Sequence, residues 1–381
     1  MARPDNGIDR RSIFRGSLYS AAVAGAANVP TGALHAQPSP EAGKILNQQP
    51  GLRYRPVGDT GIQLSVISLG GLVMMEPVHH YAIDRGVNLV HIAADYLGGR
   101  AIAALGNVLK TRRKDVYLAV KDNFSDIDET LKILNTDYID FIMFNRHTPG
   151  EAADPRIREQ FERWKQQGKV RYAGLTVHGE VKETIGAGLA SGTFSMVNPA
   201  LNQPNLEAMQ EELRVAQQKR VAVMAMKTMR GLKGLELETA YLKKALLNPA
   251  VTTVVKGIGS FEMFDAYVKA ANEALTARED RTLYRYAQAN RANNCMFCDE
   301  CRTVCPEGVE ISTVLRCKDY YHDQLGDRLT AVSTYRALPS AKLGGAQCER
   351  CHACERACPN GIHIVDRLIA ARTLFDGSIR G

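Results

Sequence analysis

The chain has 381 residues, 45% hydrophobic and 23% charged, with a net charge of +7 at neutral pH. That is long enough for a large domain plus a small one. No basic stripe interleaved with aromatics marks a nucleic-acid binder, and beyond the N-terminus no apolar run is long enough to span a bilayer.

The N-terminus carries Asp9-Arg10-Arg11-Ser12-Ile13-Phe14-Arg15, then a mildly apolar stretch from Leu18 to Leu34. Leu34-His35-Ala36 before Gln37 offers a small-residue cleavage site. This order of features resembles a bacterial twin-arginine export signal over residues 1–36. It predicts delivery of a folded protein to the periplasm by the twin-arginine translocase; the bland alternative is a disordered basic tail. Four arginines and two aspartates in 1–36 account for +2 of the charge, leaving +5, an excess suited to an acidic electron-transfer partner. Residues 37–50 read as a polar linker.

From residue 51 short apolar runs alternate with amphipathic helical patterns. The predicted strands are Leu64–Gly70, Asn88–Ala94, Val116–Lys121, Tyr138–Asn145, Val170–Val177, Phe194–Leu201, Val221–Met226 and Val251–Gly257. Arg100–Arg112, Asp154–Gln167, Leu206–Arg220 and Leu237–Leu247 recur in apolar residues at three and four, as helices do. Eight such pairs over 51–275 predict an α/β fold, a TIM-type (β/α)8 barrel. A doubly wound sheet would show a glycine-rich phosphate loop after its first strand, and Gly70-Gly71-Leu72 is not one.

Past about residue 276 the alternation stops, and a small, mainly α-helical module is predicted over 276–381. Its helices are Ala277–Arg291, Ile311–Leu325 and Ile364–Phe375. All nine cysteines lie here. Eight form two copies of C-x2-C-x2-C-x3-C-P: Cys295, Cys298, Cys301, Cys305, and Cys348, Cys351, Cys354, Cys358. This run wraps 4Fe–4S clusters, the fourth cysteine of each copy serving the other cluster. The expected quartets are therefore Cys295, Cys298, Cys301 with Cys358, and Cys348, Cys351, Cys354 with Cys305. Structural zinc favours pairs of C-x2-4-C, and disulfides need no such rhythm. The two runs stand far apart and are joined by a helical stretch, unlike small bacterial ferredoxins. Cys317 is left over as a buried helical thiol.

Several segments carry a family resemblance. Arg53-Tyr54-Arg55-Pro56-Val57-Gly58-Asp59-Thr60-Gly61-Ile62-Gln63-Leu64-Ser65 is similar to an opening hairpin that plugs a barrel floor. Ala82-Ile83-Asp84-Arg85-Gly86-Val87-Asn88 and Asp137-Tyr138-Ile139-Asp140 follow in matching order. Over 51–275 the chain resembles the aldo-keto reductases, and with its cysteines and N-terminus their iron–sulfur, twin-arginine-exported branch. That resemblance implies carbonyl chemistry with NADP(H), a proton-donating tyrosine, a lysine lowering its pKa, an aspartate holding the lysine and a histidine orienting substrate. Carried over by position, the tyrosine is Tyr96 and the lysine Lys121. His91 stands where the aspartate belongs and Asn145 where the histidine belongs. Asp95 is a displaced carboxylate, and His147, two residues beyond Asn145 on the same face, could take the orienting role. Cofactor contacts implied by the resemblance are Asn198 at the carboxamide, Thr176 beside it, Met226 under the nicotinamide ring and Lys256 at a phosphate. Val177 replaces a polar contact, and Glu262 falls where an arginine would read a 2′-phosphate.

His178 ends the fifth strand on the rim where barrels place catalytic groups. His352 and His363 flank the second cysteine run as tuning groups, His79-His80 reads as a helix surface, and Met74-Met75 and Met224 with Met226 as packing. Two functions fit: an exported iron–sulfur oxidoreductase acting on a small carbonyl or alcohol with an unidentified electron donor or acceptor, or a non-catalytic electron-transfer subunit. A third reading makes the clusters a structural clamp.

Overall fold

The hairpin of β1 (Tyr54–Pro56) and β2 (Gln63–Ser65) turns at Gly58, whose φ is +49°. A Cβ there would lie 2.0 Å from the Arg220 carbonyl oxygen, so both conformation and space demand glycine. Arg55 donates to the carbonyls of Leu246 at 2.7 Å and Asn248 at 3.1 Å, and also to that of Val251. These contacts fix the hairpin at the N-terminal end of a barrel strand, as a floor. The coordinates come from a computed structural model that describes residues 45–71, 75–124, 126–203, 205–339, 343 and 348–376. The expected signal over 1–36, most of the linker and Met74 lie outside the described residues.

Eight parallel strands close the barrel: β3 (Ile67–Gly70), β4 (Leu89–Ala93), β5 (Tyr117–Lys121), β6 (Ile139–Arg146), β7 (Val170–Val177), β8 (Met196–Pro199), β9 (Ala222–Ala225) and β10 (Val251–Lys256). β10 pairs with β3, Val254 opposite Ile67, and shuts the ring. All eight predicted strands are present: β7 keeps its bounds, β6 shifts by one residue, the other six are shorter, and Leu64 and Ser65 of the first belong instead to the hairpin strand β2. Strands covered on both faces need continuous apolar runs, and Leu89–Ala93 and Met196–Pro199 are buried throughout.

Between strands run helices such as Arg100–Arg112 and Pro155–Gln166, the second capped by Asp154 accepting from the Arg156 amide. The predicted helix over Leu206–Arg220 shortens to Gln210–Gln218. The expected boundary near 275 falls in the turn between helices Phe261–Ala271 and Ala277–Ala289. The latter is tied to the barrel. Lys243, on helix Leu235–Leu247, pairs with Glu273 and Glu279, both at 2.8 Å, and Lys244 with Asp280. All described residues belong to one compact unit.

Instead of one helix over Ile311–Leu325, an α-helical turn, Ile311–Leu315, passes into a π-helix, Arg316–Gln324. Such widened turns are rare and frequently mark functional sites. Here the widened segment lies across the barrel mouth.

Candidate functional site

The C-terminal ends of the strands deliver the first group of side chains. Lys121 closes β5, and Tyr96 follows β4 in a tight turn where Leu97 has φ +53°. The Lys121 ammonium donates to the Tyr96 oxygen at 2.8 Å, leaving the phenol proton free to point elsewhere. Lys121 also lies 3.1 Å from His178 Nε2, just past β7. His91, on β4, is buried among them and its Nε2 has no partner. Among the described residues Lys121 therefore contacts a phenol and an imidazole, and no carboxylate.

Burial dominates the electrostatics. It pushes Tyr96 well above the usual phenol range, with Tyr321, Asp95 and Tyr320 adding to the rise and Arg316 opposing it. The expected lowering of the tyrosine by its lysine is thus outweighed. Burial brings Lys121 down to about 8, against the pull of Asp95. The displaced carboxylate does support the lysine, at a distance; its Oδ2 accepts from Asn123. His91 and His178 are held well below the ordinary histidine range by burial, then by Lys121.

A second group closes over the first. Lys227 follows β9 at φ +52°, a conformation lysine rarely adopts. Its Nζ sits 3.9 Å from the Tyr320 ring centre and 5.1 Å from that of Tyr321, both on the π-helix. Gly70, Gly71, His91, Tyr96, Lys121, His178, Met226, Lys227, Tyr320 and Tyr321 are among the residues enclosing a cavity of about 60 Å3. Five of the expected residues meet here: Tyr96, Lys121, His91, His178 and Met226. Lys227, Tyr320 and Tyr321 went unrecognised in the sequence. A lysine just beyond a barrel strand was a usable signal; the tyrosines, far along the chain, gave none.

The other expected residues sit elsewhere. Asn145 and His147 open on a separate, wider cleft with Asp122, Arg146 and Trp164. Asn145 donates to Asn123 at 3.2 Å, and the His147 ring stacks on His178 at 5.6 Å. The imidazole at the lysine is thus His178, and neither Asn145 nor His147 takes the orienting position. Thr176 and Asn198 are fully buried and bonded to each other at 3.3 Å, the amide nitrogen reaching the Met224 carbonyl at 2.5 Å. Lys256 pairs with Glu238 at 3.5 Å, so a protein carboxylate meets the charge assigned to a phosphate.

The cysteines gather as two quartets. Cys295, Cys298, Cys301 and Cys358 line one small cavity; Cys305, Cys348, Cys351 and Cys354 line another. All eight thiols are free of disulfides. The two loops repeat one backbone device, since the residue after the second cysteine is left-handed in each: Asp299 at φ +59° and His352 at +51°. Asp299 Oδ2 accepts from the Glu180 amide at 2.9 Å, docking the first loop onto the barrel. Burial pushes Cys298 and Cys354 up to about 11. Among the described residues, no group of three or more His, Cys, Asp or Glu is drawn together to hold a single metal ion. The first quartet adjoins the mouth. Arg230 donates to the Cys295 carbonyl at 3.0 Å and lies over the Phe297 ring at 4.3 Å and the Tyr320 ring at 5.9 Å.

A closed eight-stranded barrel with a tyrosine–lysine pair on its C-terminal rim defines the class: a TIM-barrel protein with an enzyme-like site. A model of the Aldo/keto reductase family matches residues 75–242. The uncharacterized oxidoreductase YqkF of Bacillus subtilis (strain 168) is 28% identical over 33% of this chain and 49% of its own, so the chain spans about half of that relative's length. The holo form of aldo-keto reductase AKR11C1 from Bacillus halodurans superposes with a TM-score of 0.51 at 22% identity, covering 62% of this chain and 96% of that one. Thermostable aldo-keto reductase Tm1743, in complex with the inhibitor epalrestat, gives 0.51 at 20%, covering 61% and 99%. The structural likenesses show the fold, and the family match over residues 75–242 falls on that barrel.

Proposed function

We propose that this chain is an oxidoreductase of the aldo/keto reductase type, acting on a small carbonyl or alcohol compound at the barrel mouth and exchanging electrons through two 4Fe–4S clusters. The observation that carries this is the sorting of eight cysteines into two cavities, interleaved as dicluster ligation requires. The residues fit such groups: Cys295, Cys298, Cys301 and Cys358 would hold one, Cys305, Cys348, Cys351 and Cys354 the other. When bound, each supplies one-electron transfer.

The chain's own part is acid–base work. Tyr96 keeps its proton and, with its oxygen occupied by Lys121, has that proton to donate to a carbonyl oxygen. NADP(H) is the hydride carrier the superfamily would bring. In the arrangement described, Asn198 spends its amide on the protein, and Tyr320 and Tyr321 cover the mouth. The residues do not fit a nicotinamide there. The twin-arginine-like N-terminus supports export to the periplasm, where an electron donor or acceptor would dock.

The rival reading, an electron-transfer subunit with a silent barrel, draws on His91 standing beside Lys121 in place of a carboxylate. Anaerobically purified protein should contain about eight iron and eight sulfide per chain; far less ends the cluster reading. Turnover of carbonyl substrates that is lost in Tyr96→Phe supports the enzyme, and turnover indifferent to that change removes Tyr96 from the chemistry. Cell fractionation of an Arg10→Lys, Arg11→Lys variant tests export, expected to fail.

A further inference from the structure

The lining of the mouth cavity is unbalanced in charge. Lys121 and Lys227 line it, and Arg316 and Arg230 stand near enough to Lys227 to act on its charge; burial first, and cationic neighbours after it, depress both lysines. Facing them, Asp95 acts on Lys121 and Tyr96. Asp122 also acts on Lys121 but is paired with Arg146 at 2.8 Å. Asp319 acts on Arg230 while holding Lys318 and Arg367. Cationic groups outnumber the carboxylates left to serve them.

The donors are also unspent. Lys227 Nζ, Arg316 Nε, His91 Nε2 and His178 Nδ1 are all buried without a hydrogen-bond partner. A buried donor left unpaired is costly, the more so when charged, so Lys227 Nζ in particular calls for an acceptor. Three aromatic rings surround Lys227 Nζ, those of Tyr320, Tyr321 and Phe297, the last at 5.8 Å. They supply π-faces but no lone-pair acceptor aimed at it. Holding a lysine at φ +52° adds backbone strain, which clusters at working sites. The cavity of about 60 Å3 suits a compound of roughly five heavy atoms, at ~10–15 Å3 per water-sized sphere.

We propose that the mouth cavity is a carboxylate site, and that the substrate class is a short 2-oxo acid or its 2-hydroxy acid. Lys227, supported by Arg316, receives the carboxylate, and Tyr96 faces the neighbouring oxygen. This rests on the reading of the mouth as the reaction site, but not on the clusters. Arg316 comes from the cysteine-bearing region, so the specificity is built jointly by barrel and cap.

Equilibrium dialysis of the full chain, purified anaerobically, with labelled pyruvate tests it, hydroxyacetone serving as the uncharged counterpart. Pyruvate should bind at least tenfold more tightly than hydroxyacetone. Lys227→Met should weaken pyruvate binding at least tenfold and remove that preference, and Lys227→Arg should restore most of it. Equal binding of the two compounds, or a pyruvate affinity indifferent to Lys227→Met in a variant with unaltered circular dichroism, overturns the proposal. So does a Lys227→Met variant that loses binding of inorganic pyrophosphate, dialysed in parallel, without losing that of pyruvate, which would assign the cations to a dinucleotide phosphate. Iron and sulfide contents are measured on the same samples. Their absence alongside intact pyruvate binding would defeat the cluster reading and leave this one standing.

Discussion

Lys121 is pulled two ways. Burial strips its hydration and lowers its pKa, whereas Asp95 favours the charged form; burial wins, and the balance falls at about 8. The ammonium is therefore present below pH 8 and lost above it, where a solvated lysine would keep its proton to about 10.4. If the charge assists Tyr96, carbonyl turnover should decline as pH rises through about 8. Lys121→Arg should abolish that limb, and Asp95→Asn should shift it to lower pH; a pH–rate profile of the three proteins decides. The neighbouring imidazoles make a separate demand. His91 and His178 are held well below normal and His147 at about 3, each chiefly by burial. Unfolded histidines titrate near 6.5. The unfolded chain consequently takes up more protons as pH falls below that value. The histidines' contribution to stability is complete above pH 6.5 and is lost progressively from there towards the folded values. Each contributes about 1.4 kcal/mol per pH unit in that window, or roughly 4 for the three. Melting temperature should drop steeply between pH 6.5 and 5, and His147→Gln should flatten the drop by about a third.

Elements were legible where one local rule governs a whole segment. The barrel strands are continuous apolar runs between turn signals, and helix Arg100–Arg112 has the predicted bounds because its apolar positions recur without interruption. The Ile311–Leu325 region obeys the same periodicity, yet most of it, Arg316–Gln324, is a π-helix, because the wider turn displaces the apolar pattern only slightly from one residue to the next. Propensity can mislead in the opposite direction. Gly106 lies mid-helix, where alanine would ordinarily gain about 1 kcal/mol. A Cβ there would stand 2.1 Å from the Ile133 carbonyl oxygen, and that oxygen is backbone. Overpacking costs typically about 1–3 kcal/mol, so the clash outweighs the propensity. Gly106→Ala should destabilise by about 1–2 kcal/mol in urea unfolding; an increase in stability would show that the helix can slide off the 126–135 segment.

For the molecule as a whole, the cysteine rhythm disclosed a dicluster pattern and the strand count a barrel, but not how the two regions meet. The π-helix brings Tyr320, Tyr321 and Arg316 over a mouth whose own strands supply Tyr96, Lys121 and Lys227, and no pattern in either stretch reports on the other. Half of the candidate site was hidden for that reason. The interleaving of the quartets, by contrast, is a long-range feature that spacing alone implied, and its energetic consequence can be measured. If Cys295 and Cys358 serve one cluster, removing either empties the same cavity, so the Cys295→Ser, Cys358→Ser double variant should lose no more iron than each single variant, about four atoms. Cys305 precedes its cavity partners in the chain but belongs with Cys348, Cys351 and Cys354. Cys295→Ser with Cys305→Ser should therefore strip both cavities, although these two residues share one motif. Contacts that act as a unit are non-additive, whereas independent sites add. The opposite outcome, with the 295/305 pair losing four irons and the 295/358 pair losing eight, would assign each cluster to a single contiguous run and undo the interlocked arrangement.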